Sequence, residues 1–198
     1  MKVAVIAEAD ADEPRVAATP ETVKKMVALG ATVAVQAGAG VKSGILDADY
    51  TAAGATVADD PLSDADIVLQ VRRPEAPELA RLKKGVIVIG MMDPYGHENA
   101  VRAMADAGIV AFALELLPRI TRAQVMDVLS SQANLAGYRA VIDAAAAFGR
   151  ALPMMMTAAG TVPAARIFIM GAGVAGLQAI ATAPARRHRH RDRRAAGS

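Results

Sequence analysis

The first 38 residues read MKVAVIAEADADEPRVAATPETVKKMVALGATVAVQAG, Met1–Gly38. Val3–Ala7 and Ala31–Gln36 are near-continuous runs of small and branched apolar residues, the pattern of strands buried on both faces of a parallel sheet. Between them Pro20–Leu29 has helical spacing. Thr19 is its N-cap, Pro20 takes the first helical position, and Gly30 stops it. Strand, helix and strand in this order are the alternation of an α/β unit with a parallel sheet.

The same alternation continues outward. Asp66–Val71, Gly85–Met91 and Ile109–Leu114 read as further strands. Pro77–Leu82 and Glu98–Ala107 read as helices, the second ended by Gly108. Residues 1–115 are therefore expected to form a doubly wound, Rossmann-like α/β sheet. Thr121–Arg150 then reads as a long helical region broken near Ser130–Ser131. Its spacing puts Leu135, Tyr138, Ile142 and Ala146 on one face. Met154–Thr157 and Gly160–Pro163 read as a connector. Arg166–Met170 is a strand, followed at once by GAGVAG (Gly171–Gly176) and a helix over Leu177–Ala183. The expected organisation is an α/β domain over 1–133, a linking helix and connector over 134–163, the beginning of a second Rossmann domain over 164–183, and an Arg-rich tail over 184–198.

Composition limits the chemistry. The chain has 198 residues, no Cys, no Trp and 3 His, and 54% of it is hydrophobic with only 3% aromatic. The core is thus built from Ala, Val, Ile, Leu and Met. Thiolate catalysis, disulfides and zinc–thiolate sites are excluded. No stretch reaches the roughly 18–20 uninterrupted apolar residues of a membrane span. The net charge of +2 is unevenly placed. Arg186–Ser198 holds six Arg and one Asp, while residues 1–185 carry 16 basic against 19 acidic side chains. The body is slightly acidic and offers no clustered positive surface for nucleic acid.

Three motifs carry chemistry. In GAGVAG, Gly171 allows a tight turn, Gly173 lets backbone approach a pyrophosphate, and Gly176 lets helix and strand pack closely. The helix start offers free N–H groups to the anion, with Val174 and Ala175 completing the turn. A strand before it and a helix after it are the context that a dinucleotide site needs. The alternative is a structural glycine corner. Such a site also wants an acid about 20 residues on, for the ribose. Asp192 stands near that spacing, but its surroundings, RHRHRDRR, read as a solvated tail rather than a buried strand. The second motif, around Glu8, Glu13, Arg15, Thr19 and Pro20, is either a polar loop before a capped helix or a ligand-binding loop. The latter reading puts Arg15 at the carboxyl end of the first strand. The third, PRITRAQVMDVLSSQ (Pro118–Gln132), holds Arg119, Arg122, Gln124, Asp127, Ser130 and Gln132. Gln124, Asp127 and Ser130 lie three apart and would share one helical face. His97 reads as an exposed or capping residue.

These residues resemble a known family. EPRVAATPETVKKM (Glu13–Met26), PRITRAQVMDVLSSQANLAGYRAV (Pro118–Val141), MMMTAAGTVPAAR (Met154–Arg166) and GAGVAGLQAIATA (Gly171–Ala183) resemble the NAD(H)-binding alpha subunit of proton-translocating NAD(P) transhydrogenase. The resemblance runs from Met1 to about Ala183. Alanine dehydrogenase shares the two-domain plan, but has a Lys where Arg72 stands and a catalytic His after the strand that here ends GMMDP; Arg72, and no obvious His after that strand, favour the resemblance to transhydrogenase. The resemblance implies direct hydride transfer from NADH to NADP⁺, the latter held by a partner subunit. Arg119, Asp127 and Ser130 match positions that hydrogen-bond the nicotinamide end. Gln124 matches the residue that aligns the partner nucleotide. Gln124 and Asp127 are the expected catalytic pair in the sense of orientation, since hydride passes between two rings without an acid or base. The implied partners are NADP(H)-binding and membrane-embedded subunits, with homodimerisation of the full-length protein and a cytoplasmic location, peripheral to the inner (plasma) membrane through those partners. An alanine-dehydrogenase-like enzyme, and a non-enzymatic α/β module with a nucleic-acid-binding tail, are the competing readings.

The resemblance stops at PARRHRHRDRRAAGS. Read one base later, with Arg written as CGN, Arg186–Ala196 permits GATVTATDVRP, a strand ending in an acid. A reading-frame slip near Ala183 is the expectation, against a true basic tail. Such a fragment is expected to bind NADH poorly and to lack hydride-transfer activity.

Overall fold

The computed structural model describes residues 1–183 and, as backbone, 189–191. It divides into two units, Met1–Met126 and Asp127–Ser198. The Arg-rich tail otherwise lies outside the described residues, and with it the expected ribose acid Asp192.

The first unit is a six-stranded sheet of β1 (Lys2–Val5), β2 (Thr32–Gln36), β3 (Thr56–Ala58), β4 (Ile67–Arg72), β5 (Ile87–Met91) and β6 (Val110–Ala113). The spatial order is β3-β2-β1-β4-β5-β6, and every pairing is parallel. The helices are α1 (Pro20–Ala28), α2 (Asp47–Ala52), α3 (Ala76–Leu79) and α4 (Glu98–Asp106). The five strands expected from apolar runs are all present, as is the doubly wound α/β class.

The two faces of the sheet divide by alternation. Val3, Val5, Val33 and Val35 pack with Val23 of α1 and Tyr50 of α2 on one face. Ala4, Ile6, Val68 and Val88 pack with Leu62, Leu79 and Met104 on the other. Both faces are apolar, so the strands carry no alternation of polarity. Thr19 caps α1 as expected, and its hydroxyl accepts from the Thr22 N–H. Helix α2 and the edge strand β3 went unpredicted. At six and three residues they are too short to show a period. Helix α2 exists because Tyr50 is fully buried, with its hydroxyl donating to the Ala18 carbonyl at 2.8 Å. Tyr50→Phe leaves that carbonyl without its donor. It is expected to cost about 1 kcal/mol and to lower the melting temperature by a few degrees, read by thermal circular dichroism.

The second unit holds α5 (Val128–Ala147), an antiparallel hairpin of β7 (Met155–Thr157) and β8 (Gly160–Val162), then β9 (Phe168–Met170), α6 (Val174–Thr182) and β10 (Arg189–Arg191). The connector is thus a hairpin. Strand β10 pairs with β9 in parallel, so the backbone of the Arg-rich segment takes a strand where a solvated tail was expected. Val141 of α5 packs with Ala179 and Ala183, against Ile167 and Ile169.

One further expectation is corrected. The helix of 121–150 breaks at Asp127, not at Ser130–Ser131. Thr121–Met126 is a 3-10 turn, and Asp127 is the N-cap of α5. An aspartate carboxylate satisfies the free N–H groups of a new helix better than it serves a helix interior, so the chain restarts there.

Candidate functional site

In an open sheet of this strand order, the chain winds from β1 outward in one direction and from β4 outward in the other. Their carboxyl ends therefore flank a crevice, the usual ligand position of doubly wound folds. The loop after β1 and the end of β4 fill it with charge. Glu8 accepts the backbone N–H groups of Val71 (2.6 Å) and Arg72 (3.1 Å), which pins the end of β4 where its register with β5 shifts. Burial pushes the Glu8 carboxyl up, against those two hydrogen bonds. Glu13 is 2% exposed. Its two oxygens receive the Arg15 guanidinium side-on, Nε and Nη2 each at 2.6 Å, and Arg72 Nε adds a third contact at 3.1 Å. The hydrogen bonds from Arg15 hold the Glu13 carboxyl down at about 2. Arg15 thus stands at the strand end where the sequence put it, with its charge directed onto Glu13.

One strand further, Asp93 follows β5 with a positive φ of 44°. Its carbonyl lies 3.0 Å from His97 Nδ1 and 3.2 Å from an Arg73 guanidinium nitrogen. His97 occupies the N-cap position of α4. A histidine therefore does stand beside the loop that follows the strand ending GMMDP.

The polar motif of 118–132 falls in both units. Arg119 and Gln124 belong to the first unit and are exposed, Gln124 within the 3-10 turn. Asp127 and Ser130 belong to the second unit and are bonded to each other. The Ser130 N–H donates to Asp127 Oδ1 at 2.9 Å and its hydroxyl to Oδ2 at 2.7 Å. The shared helical face expected for Gln124, Asp127 and Ser130 is not formed. A cap needs the acid just outside the helix, and this removes Gln124 from the helical register.

The glycine turn is formed as its sequence implies. Gly171 has φ +102°, a region that favours glycine. Gly173 is the N-cap of α6, and a Cβ built on it would meet nothing within 4 Å. Gly176 is the opposite case, because its Cβ would press into the Gly171 carbonyl, 2.8 Å from the carbon. One glycine turns the chain, one leaves open space before a helix start, and one closes helix onto turn. Val174, Ala175 and Gly176 contribute the first N–H groups of α6, which no helical carbonyl satisfies. Sequence reasoning missed Gly137, in the interior of α5. A Cβ there would collide with the backbone of Ala175. Glycine in mid-helix was its only mark. Among the described residues, no group of acids and histidines could hold a metal ion, and no helix is long and apolar enough to cross a membrane.

Comparison with known proteins agrees with this geometry. The family model described as alanine dehydrogenase/PNT, N-terminal domain, matches residues 4–136, and that of the C-terminal domain matches residues 140–187. The first of the polypeptides that make up the NAD(P) transhydrogenase alpha subunit of Rhodospirillum rubrum is 53% identical over 92% of this chain and 50% of its own length. Its counterpart in Rickettsia prowazekii is 45% identical over the same shares. The chain spans about half the length of these relatives. A crystal structure of transhydrogenase from Sinorhizobium meliloti matches with a TM-score of 0.90 and 61% identity, over 92% of this chain and 53% of that one. An L-alanine dehydrogenase structure, at 24% identity and a TM-score of 0.81, shares the fold. With six parallel strands, a glycine turn opening α6 and a family model covering two thirds of its length, the chain belongs to the alanine dehydrogenase/PNT family.

Proposed function

We propose that this chain is the NAD(H)-binding component of a proton-translocating transhydrogenase. In this reading NADH passes hydride directly to NADP⁺ held on a partner subunit, and the assembly lies at the membrane through its membrane-embedded partners. The single observation that supports it most is the glycine turn, which keeps Gly173 open and Gly176 closed before the free N–H groups of α6. A pyrophosphate is the anion that this arrangement suits. Helix α5 carries the second element. Asp127 stands ten residues before Gly137, so the Asp127–Ser130 pair lies roughly 15 Å along the helix axis from the residue that meets α6. An extended dinucleotide can reach from one to the other.

Gly171, Gly173, Val174, Ala175 and Gly176 bind the pyrophosphate. Asp127, held by Ser130, presents a carboxylate that accepts the nicotinamide amide. Arg119 donates to that end, and Gln124 aligns the partner's ring. When bound, the cofactor supplies the hydride chemistry. The protein supplies position and the exclusion of water.

Titration with NADH, followed by amide resonances, tests the reading. Shifts at Gly171–Gly176 are expected, with a dissociation constant weaker than micromolar, because the described residues supply pyrophosphate contacts without a ribose-binding acid. No shift at those amides would sink it. This chain by itself is expected to show no hydride transfer from NADH to NADP⁺. NAD⁺ reduction driven by alanine would instead favour the dehydrogenase reading.

A further inference from the structure

Glycine is a poor choice for the interior of a 20-residue helix, costing up to about 1 kcal/mol against Ala. Helix α5 nevertheless has Gly137 there, buried, between Ala136 and Tyr138. The reason lies across the helix pair. A Cβ on Gly137 would stand 2.8 Å from the carbonyl carbon and 2.9 Å from the Cα of Ala175, and closer still to its carbonyl oxygen. These are backbone atoms, so no side-chain rotation relieves the overlap. One turn on, Val141 packs on Ala179, so two successive turns of α5 meet two successive turns of α6.

Ala175 is the second residue of α6, two positions after the N-cap Gly173. Its N–H is one of the free donors of the glycine turn, with those of Val174 and Gly176. We propose that Gly137 is a positioning residue for the phosphate-binding turn: its missing side chain lets α5 seat the first turn of α6 at the depth where Val174–Gly176 converge on an anion. This deepens the nucleotide reading above and rests on it. Residues of the turn itself set its shape. Gly137 sets its location, from a different helix and without touching the ligand.

Carbon atoms pack best at about 3.5–4.0 Å, so a methyl group at position 137 must push the start of α6 outward by roughly an ångström. Hydrogen bonds to an anion tolerate little of that, because their donor–acceptor range is only about half an ångström wide. Helix propensity acts in the opposite direction. If α6 had room, Gly137→Ala would stabilise α5 and leave binding unchanged.

The test uses the full chain, with ADP as the pyrophosphate-bearing probe and adenosine as the probe without phosphate, both read by amide chemical shifts. In the wild-type chain ADP should shift Val174–Gly176. In Gly137→Ala the dissociation constant for ADP should rise about tenfold while that for adenosine changes by less than twofold, and the ligand-free resonances of Val174–Gly176 should move. Equal ADP affinity in the two proteins overturns the proposal alone. Absence of ADP-induced shifts in the wild-type chain overturns the nucleotide reading and this proposal with it. A uniform loss for both probes indicates a merely structural role and also overturns it. Should Gly137→Ala lose its dispersed spectrum, Val141→Ala reads the same seam by trimming rather than overfilling. A threefold selective loss of ADP affinity is expected there, and unchanged affinity overturns the proposal.

Discussion

Gly176→Ala should abolish nucleotide binding. The Cβ it introduces would enter the carbonyl of Gly171, 2.8 Å from the carbon, at a residue whose φ of +102° leaves the turn little freedom to readjust. Backbone would meet side chain with no flexible partner to yield. Such overpacking costs about 1–3 kcal/mol where a core can relax. Here the relief must come from lifting α6 off the turn, which scatters the donors that face the anion. The expected loss of ADP affinity is a hundredfold or more, roughly 3 kcal/mol in binding free energy. Gly173→Ala provides the contrast. Its Cβ would meet nothing within 4 Å in the free protein, so the fold should be retained and only the approach of the ligand obstructed. Titration of the two variants with ADP, beside thermal unfolding, separates a lost site from a blocked one. Equal stability of Gly176→Ala and wild type would contradict the packing argument.

Glu13→Gln should destabilise the first unit at neutral pH by about 2 kcal/mol. The carboxyl is held at about 2 against an ordinary 4.5 by the Arg15 guanidinium, and its 2% exposure leaves little solvent to replace the lost charge. The shift corresponds to roughly 3 kcal/mol. Arg15 and Arg72 are themselves 37% and 55% exposed, so screening reduces it. The sign follows from the depressed value. The stabilisation is present in full above the unfolded carboxyl's pKa near 4.5 and is lost as pH falls from there toward 2. Glu8, whose carboxyl burial pushes up, acts in the opposite direction, gaining stability on protonation. Comparing wild type with Glu13→Gln at each pH removes the Glu8 contribution from the difference. Urea midpoints should therefore be well separated at pH 7 and converge below pH 4. A gap that persists unchanged into acid would show that Glu13 acts through packing and not through charge.

The elements differ in how openly the sequence announced them. Strands β1, β2, β4, β5 and β6 were visible because burial on both faces demands unbroken apolar runs. Helix α2 and strand β3 were invisible, because Tyr50 finds its place only once the Ala18 carbonyl is folded above it. The candidate site divides in the same way. The glycine motif was legible residue by residue, since each glycine answers a local requirement of turn, space or contact. The face assigned to Gln124, Asp127 and Ser130 was wrong because spacing does not reveal where a helix begins. Asp127 had the choice of interior or cap, and the carboxylate's hydrogen bonds to Ser130 decided for the cap. The burial of Glu13 was also out of reach, since Arg72, which helps to hold it, lies 59 residues away.

Local periodicity and contiguous motifs are enough to specify the doubly wound class, the strand–turn–helix around Gly171–Gly176, and the family. The burial of Glu13 between two guanidiniums, and the close approach of Gly137 in α5 to the start of α6, emerge only in the folded chain. Both are contacts between residues far apart in the chain, whose energies arise from close approach in space, and no pattern along the chain encodes a distance between two helices.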